Sequence, residues 1–331
     1  MSPIPAGNVR VGAFNLQNYG PTKAANTATV DAIARVAVEY DGLVLQEIED
    51  VSGSAQQRLL DAVNRISPQP YRLELSARLG RSASTEQYGF LYRPDRLSLI
   101  SSIQIDDPED EFEREPTALT ISHGGYTYGL IALHAKPDDA VKEINQVAFV
   151  YDAYRNLSGN ESAFVIGDLN ADCDYATDAQ LRATALCSDP RFSWLIPDGA
   201  DTTTGASNCA YDRIVARGPV ARHLNQPAVY RFDQHLGIAG TSVSDHYPVE
   251  VEVGDAGGDY SGFSCAPGAT EAPSLQRTSG RFAFDIDGAV PVEPVQSPSC
   301  CRTCTTGKAC GDSCISRANN CSIGSGCACD G

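Results

Sequence analysis

The chain is short of cations. Against 42 Asp and Glu it carries 25 Lys and Arg, a formal charge of -17 over 331 residues. Such a chain repels phosphate backbones at long range, so composition alone argues against a nucleic-acid partner. The same excess suits high ionic strength, where screening weakens self-repulsion and substrate repulsion together. No apolar run approaches the length of a membrane span, so no membrane partner is expected. The opening Met1-Ser2-Pro3-Ile4-Pro5 lacks the charged and apolar regions of a secretory signal. There is no repeat at solenoid periods. Histidine is scarce too, with five in all.

Cysteine is what abounds. Twelve residues, an even number, are many for a reducing compartment, and eight of them fall between Cys300 and Cys329. The expectation is a secreted, extracellular protein whose signal has been removed. The length allows one large domain with an appendage.

Alternating and apolar runs predict strands at 9–16, 43–47, 71–76, 88–92, 97–105, 117–122, 126–134, 163–168, 209–215 and 247–253. Helical spacing predicts helices at 24–40, 54–66 with Ser54 as cap, and 138–156. Without a regular βαβ rhythm, this reads as two sheets with helices outside. Residues 255–298 are rich in Gly, Pro, Ser and Ala and read as a linker with at most a short strand at 281–286. The expected domains are therefore 1–254, the linker 255–298, and a cysteine-rich module at 299–331.

The centre of the pattern is Ala163-Phe164-Val165-Ile166-Gly167-Asp168-Leu169-Asn170. A short buried strand runs into two oxygen donors that alternation places on one side. Oxygen ligands suit a hard cation such as Mg²⁺, Mn²⁺ or Ca²⁺. Taken alone, the stretch reads as a strand end followed by an Asx turn. The same pattern recurs, however. Apolar strands end on Asn15, Glu47, His134, Asp168 with Asn170, and Asp212, and Ser244-Asp245-His246 precedes the last strand. Strand ends at one rim of a sandwich can share a pocket. His123, His223 and His235 lie in polar or turn contexts and match no motif.

Gln46-Glu47, Gly167-Asp168-Leu169-Asn170 and Ser244-Asp245-His246-Tyr247-Pro248 resemble the signatures of the endonuclease/exonuclease/phosphatase superfamily. Stretches around Glu86, Arg114, Leu133-His134-Ala135, Trp194 and Cys209-Ala210-Tyr211-Asp212-Arg213 resemble its deoxyribonuclease I branch. The likeness spans roughly residues 8–253 and implies an α/β fold, a four-layer α-β-β-α sandwich. It implies hydrolysis of DNA phosphodiesters with little sequence preference, leaving 5′-phosphate and 3′-hydroxyl ends, by a monomer. Double-stranded DNA is the implied partner, with single strands or RNA left open.

By the same resemblance, His246 is general base and Asp212 orients it. His134, paired with Glu86, protonates the leaving oxygen or stabilises the phosphate; imidazole suits both tasks. Glu47, Asp168, Asn170 and Asp245 hold Mg²⁺ or Mn²⁺, with Asn15 nearby, and Arg114 with Asn15 binds the phosphate. Asp107, Asp110, the Phe112 carbonyl and Glu115 resemble one structural Ca²⁺ loop, and Asp201 with Thr203 part of another; a solvated charge run is the competing reading of the first. Cys173 and Cys209 match the family's disulfide, and Cys187 and Cys265 are left as a candidate pair.

Two positions depart from the family. Ile48-Glu49-Asp50 stands where the family has a basic residue for the minor groove, and Ser84 where it stacks a tyrosine. Losing both weakens duplex grip by about 1–3 kcal/mol without touching hydrolysis. In the tail, four disulfides and a thiolate Zn²⁺ site built on Cys301-x-x-Cys304 and Cys310-x-x-x-Cys314 are both open. Competing functions are a phosphatase or phospholipase of the same superfamily, an abasic-site repair enzyme, and a non-catalytic binding module.

Overall fold

A computed structural model describes residues 7–82, 84–255, 257–261 and 265, with short pieces at 283–284, 290–291, 302–305, 308–310, 313–316 and 328–330. The chain divides into two compact units, Met1–Val290 and Pro291–Gly331.

The larger unit holds two sheets with helices packed outside them. The strands are β1 (Val9–Tyr19), β2 (Gly42–Ile48), β3 (Arg72–Leu75), β4 (Gln87–Tyr92), β5 (Ser98–Asp106), β6 (Thr117–His123), β7 (Tyr126–Ala132), β8 (Ala163–Asp168), β9 (Phe192–Trp194), β10 (Asp212–Arg217), β11 (Leu224–Val229), β12 (Val249–Val253) and β13 (Ala283–Phe284). The helices are α1 (Pro21–Ala25), α2 (Thr27–Ala37), α3 (Ser54–Ile66), α4 (Ala140–Ser158), α5 (Asp178–Ala183), α6 (Ala185–Ser188) and α7 (Phe232–Leu236). The first sheet runs β11-β12-β1-β2-β4-β3, and the second β13-β5-β6-β7-β8-β10-β9. Both are mixed: β1 pairs parallel to β2 and antiparallel to β12, and β8 parallel to β7 and antiparallel to β10.

Alternation assigns each strand residue to a layer. In β1, Phe14 and Leu16 join Ile33 of α2 and Leu59 of α3 in one outer core. In β8, Ala163 and Val165 join Ile144, Val147 and Tyr151 of α4 in the other. Phe164 and Ile166, buried on the opposite face of β8, lie between the sheets, and Asp168 follows on their side. The result is the expected four-layer α-β-β-α sandwich.

Several boundaries move for local reasons. The single helix expected at 24–40 is two, because the Asn26 side chain accepts from the Ala28 (3.1 Å) and Thr29 (3.3 Å) amides and starts a new helix. Ser54 is not the cap of α3. Gly53, at φ +77°, holds that position, and Asp50 takes the Ala55 amide (2.8 Å) and the Ser54 hydroxyl (2.9 Å) instead. The strand expected at 209–215 begins only at Asp212, and that at 247–253 only at Val249. The strand expected to 134 stops at Ala132, which leaves His134 just past its end. Strands β9 and β11 were not expected; the first is three residues long and the second carries Pro227.

Three disulfides are formed among the described residues, Cys173–Cys209, Cys187–Cys265 and Cys304–Cys314. The second ties the chain beyond 254 back to the body, where Leu224 also exchanges backbone hydrogen bonds with Gly258. In the smaller unit, Arg302–Cys304 pairs with Ala328–Asp330 and Lys308–Cys310 with Ser313–Ile315. Cys304 and Cys314, two of the four residues of the zinc reading, are joined to each other. The remaining tail cysteines lie outside the described side chains.

Candidate active site

Three residues reach the seam from the first sheet and its loops: Asn15 in β1, Glu47 in β2, and Glu86 just before β4. The second sheet supplies His134 after β7, Asp168 at the end of β8 and Asp212 at the start of β10, and His246 lies before β12. Asn15 Nδ2 donates both to Glu47 Oε1 (2.8 Å) and to Asp168 Oδ2 (3.1 Å), so its amide bridges the two sheets. Glu47 sits at φ +59°, a left-handed conformation that costs a non-glycine residue about 1–3 kcal/mol. It is held there by its own amide on Glu86 Oε1 (3.3 Å) and by the Asn18 amide on Glu47 Oε2 (2.6 Å).

Two histidines flank Asp168. His246 Nε2 and His134 Nε2 each stand 3.6 Å from Asp168 Oδ2. Behind them, His246 Nδ1 meets Asp212 Oδ2 at 2.7 Å, and His134 Nδ1 meets Glu86 Oε2 at 2.9 Å. A carboxylate on Nδ1 fixes the ring and leaves Nε2 to exchange protons. Burial alone lowers the pKa of each ring, but the facing carboxylates outweigh it. Asp212 and Asp168 raise His246 to about 10, and Glu86 and Asp168 raise His134 to about 9. Asp245, half exposed, places Oδ1 3.8 Å from His246 Nε2.

The backbone beneath the cluster is fastened by one buried side chain. Gln46 Oε1 accepts the Asp168 amide (2.9 Å) while its Nε2 donates to the Leu133 carbonyl (2.7 Å). Gly167 makes room for that bridge: at φ +136°, a Cβ there would lie 2.4 Å from the Leu133 oxygen and 2.5 Å from Gln46 Nε2. Asn170, at φ +49°, donates its amide to Asp168 Oδ1 (3.0 Å) and its side-chain Nδ2 to the Ala135 carbonyl (2.8 Å). The residue joins the loops that carry Asp168 and His134.

Arg114 Nε lies 2.7 Å from Glu86 Oε2. Its Nη1 is buried and meets no protein acceptor among the described residues. Sequence reasoning missed what holds Arg114 and His134 together. Glu143, fully buried, accepts the amides of Glu113 (2.9 Å) and Lys136 (3.2 Å), which flank those two residues. Burial raises its carboxyl to about 7. The available signal was a glutamate on the apolar stripe of α4, in step with Ala140, Ile144 and Val147.

The donor set suits a hard cation. Asp168, Asp212 and His246 offer ligand atoms within 4.8 Å of one another, and Asp212 Oδ1 is buried with no hydrogen-bond partner among the described residues; of the expected ligands Glu47, Asp168, Asn170 and Asp245, this group contains Asp168 alone. The two expected calcium loops differ. In the first, Asp107 Oδ2 accepts the Phe112 amide (2.9 Å) and Oδ1 is an orphaned buried oxygen, while Asp110 pairs with Arg81 at 3.1 Å. Glu115 is raised by burial and by Asp107 and Asp110, the mark of a carboxylate cluster. In the second, Asp201 Oδ1 is taken by the Thr203 amide (3.1 Å) and hydroxyl (2.8 Å), and Arg231 lies 3.6 Å from Oδ2. Glu49, where a basic residue was expected by resemblance, is raised first by burial and then by Glu47 and Glu86.

Two proton-exchanging rings across a carboxylate cluster, with a guanidinium beside them, define an enzyme built to attack a phosphoester. Residues 12–246 match the Endonuclease/Exonuclease/phosphatase family, and the chain belongs to it. Over 261 residues it is 39% identical to deoxyribonuclease-1 of Mus musculus, covering 74% of this chain and 92% of that protein. Identity to deoxyribonuclease-1 of Homo sapiens is 37% over 261 residues, with the same coverage. A solved family protein from Leptotrichia buccalis superposes with a TM-score of 0.51 at 14% identity, covering 75% of this chain and 100% of that one, a likeness of fold.

Proposed function

We propose that the protein is a divalent-metal-dependent endonuclease that hydrolyses DNA with little sequence preference. The observation that carries this is the symmetry about Asp168 Oδ2, with His246 and His134 each 3.6 Å away and each backed by its own carboxylate. Relatives named deoxyribonuclease-1 support DNA as the substrate.

His246, oriented by Asp212, would take the proton of the attacking water with a cation on Asp168 offsetting that carboxylate's upward pull on the ring; without the cation the ring, raised to about 10, holds its own proton. His134, oriented by Glu86, protonates the leaving oxygen or donates to the phosphate. Arg114 and Asn15 bind the phosphate, and Glu47, Asp168, Asn170 and Asp245 hold Mg²⁺ or Mn²⁺. The cation supplies positive charge against the dianionic transition state. The family resemblance implies 5′-phosphate and 3′-hydroxyl products. Of the calcium loops, that of Asp107, Asp110, Phe112 and Glu115 keeps the orphaned oxygen a structural Ca²⁺ would satisfy; that of Asp201 and Thr203 is filled by protein partners. The disulfides fit an extracellular protein, and we propose secretion. Residues 1–254 form the catalytic domain and the tail from 299 a separate module.

Purified protein with Mg²⁺ should nick plasmid DNA, and His246→Ala should lose several orders of magnitude in rate, about 10³-fold or more. Retained rate in that variant sinks the assignment. The charge of -17 further implies that nicking persists at salt levels that stop a basic nuclease, because little of the grip is counterion release. A steep loss of activity at modest salt counts against this.

A further inference from the structure

Asp212 opens β10 and Arg217 closes it, five residues on and about 17 Å away at ~3.3 Å per residue. Arg217 is 5% exposed. Its guanidinium lies over the rings of Tyr151 (4.3 Å to the centroid) and Phe192 (4.5 Å), which fix its plane. Its nearest acids are Asp189 at 3.5 Å and Asp152 at 4.0 Å. Asp189 is already held by Arg191, through Nε at 2.9 and 3.0 Å and Nη2 at 2.6 Å. Among the described residues, no protein acceptor takes a hydrogen bond from the Arg217 side chain.

A guanidinium carries five donors; that of Arg217 has two carboxylates at 3.5 and 4.0 Å and two ring faces beside it, and donors to spare for a further acceptor. Burial, and after it the neighbouring Arg191, pushes the Arg217 pKa below the ordinary arginine value against the opposing pull of Tyr151, Asp189 and Asp152. The side chain lines a cavity of about 310 Å³, whose wall also carries Arg191, Arg222, Ser193 and Ser261. Three arginines line this one cavity, and Asp189 holds the fork of Arg191 alone. Glu161 is the one acid in that wall.

We propose that this cavity is an anion site, separate from the catalytic rim, that receives a phosphate or phosphomonoester group on Arg217 and Arg222, with Arg191, held by Asp189, at its edge. Guanidinium forks match the paired oxygens of a phosphate. The volume exceeds what a bare ion fills and leaves space for an organic substituent. The proposal goes beyond the hydrolase reading and does not depend on it.

The test is calorimetric titration of inorganic phosphate, and separately of deoxyadenosine 5′-monophosphate, into the metal-free full-length protein in EDTA. Wild type, Arg217→Gln, Arg222→Gln and Arg114→Ala are compared. The expected result is one site per chain, weakened about tenfold or more in Arg217→Gln and Arg222→Gln and kept in Arg114→Ala. Tighter binding of the nucleotide identifies a phosphomonoester as the occupant, and equal binding identifies bare phosphate. Arg222 is exposed, so its variant keeps the test valid if Arg217→Gln does not fold. Plasmid nicking should be unchanged in Arg222→Gln. No heat with either probe at about 10 mM overturns the proposal. So does binding that is lost in Arg114→Ala and kept in Arg217→Gln, which puts the anion in the catalytic rim.

Discussion

Gly167→Ala should damage stability and activity together, though it adds one methyl group far from solvent. Residue 167 sits at φ +136°, and its Cβ would lie 2.4 Å from the Leu133 oxygen and 2.5 Å from Gln46 Nε2. Backbone strain of this kind costs about 1–3 kcal/mol. Displacing the 2.7 Å Gln46–Leu133 hydrogen bond costs about 1 kcal/mol more. A total near 3 kcal/mol lowers the melting temperature by about 6–12 °C for a domain of this size. Because the same bridge holds the Asp168 amide, a shift of about 1 Å at the carboxylate should cut the rate about 10²-fold. Calorimetry and plasmid nicking read the two effects. Gln46→Ala removes one of the two close contacts, so the double variant should be less damaged than the sum of the singles. It should not recover fully, since the Leu133 oxygen remains. If Gly167→Ala melts within about 2 °C of wild type and keeps its rate, the account of this bridge is wrong.

Three further outcomes are expected. Burial raises Glu250 to about 7, so the folded state keeps a proton that the unfolded chain releases near pH 4.3. Its stabilising contribution is full below that pH and fades as pH rises through about 7. Glu250→Gln should therefore gain stability relative to wild type between pH 5 and 7.5 in urea titrations, and a constant gap would refute the assignment. The Cys187–Cys265 bond closes a separation of 78 residues, and replacing both cysteines with serine should cost about 4 kcal/mol on the chain-entropy estimate; a loss under about 1 kcal/mol would argue that the bond does not constrain the unfolded chain. Glu143 Oε1 takes the Glu113 amide and Oε2 the Lys136 amide, so Glu143→Gln keeps one acceptor of the two and its kcat should fall between those of wild type and Glu143→Ala. Equal rates in the two would remove Glu143 from the support of Arg114.

The rim is legible because its residues stand at one end or the other of short apolar runs and sit in local motifs. Asn15, Glu47, Asp168, Asp212 and His246 could be named from neighbours alone. Residues that act across the chain could not. Gln46 stood inside a recognised motif, but its two bonds go to residues 87 and 122 positions away, and no local pattern encodes them. Ser54 looked like a cap from its position, yet Asp50 reached past it. The strand at 224–229 escaped notice because Pro227 interrupts it, as an edge position in the sheet allows. The acids of the two calcium loops are plain in the sequence, but Arg81 and Arg231, which pair with two of them, come from distant segments.

The site is assembled across a seam. Asn15, Glu47 and Glu86 arrive with one sheet, His134, Asp168 and Asp212 with the other, and Asn15 and Gln46 stitch the two together. Neither half, folded alone, contains a complete pair of carboxylate-backed histidines around Asp168. Hydrolytic competence therefore needs both sheets in register, and a change that loosens their packing at Asn15 or Gln46 reaches the site from outside it.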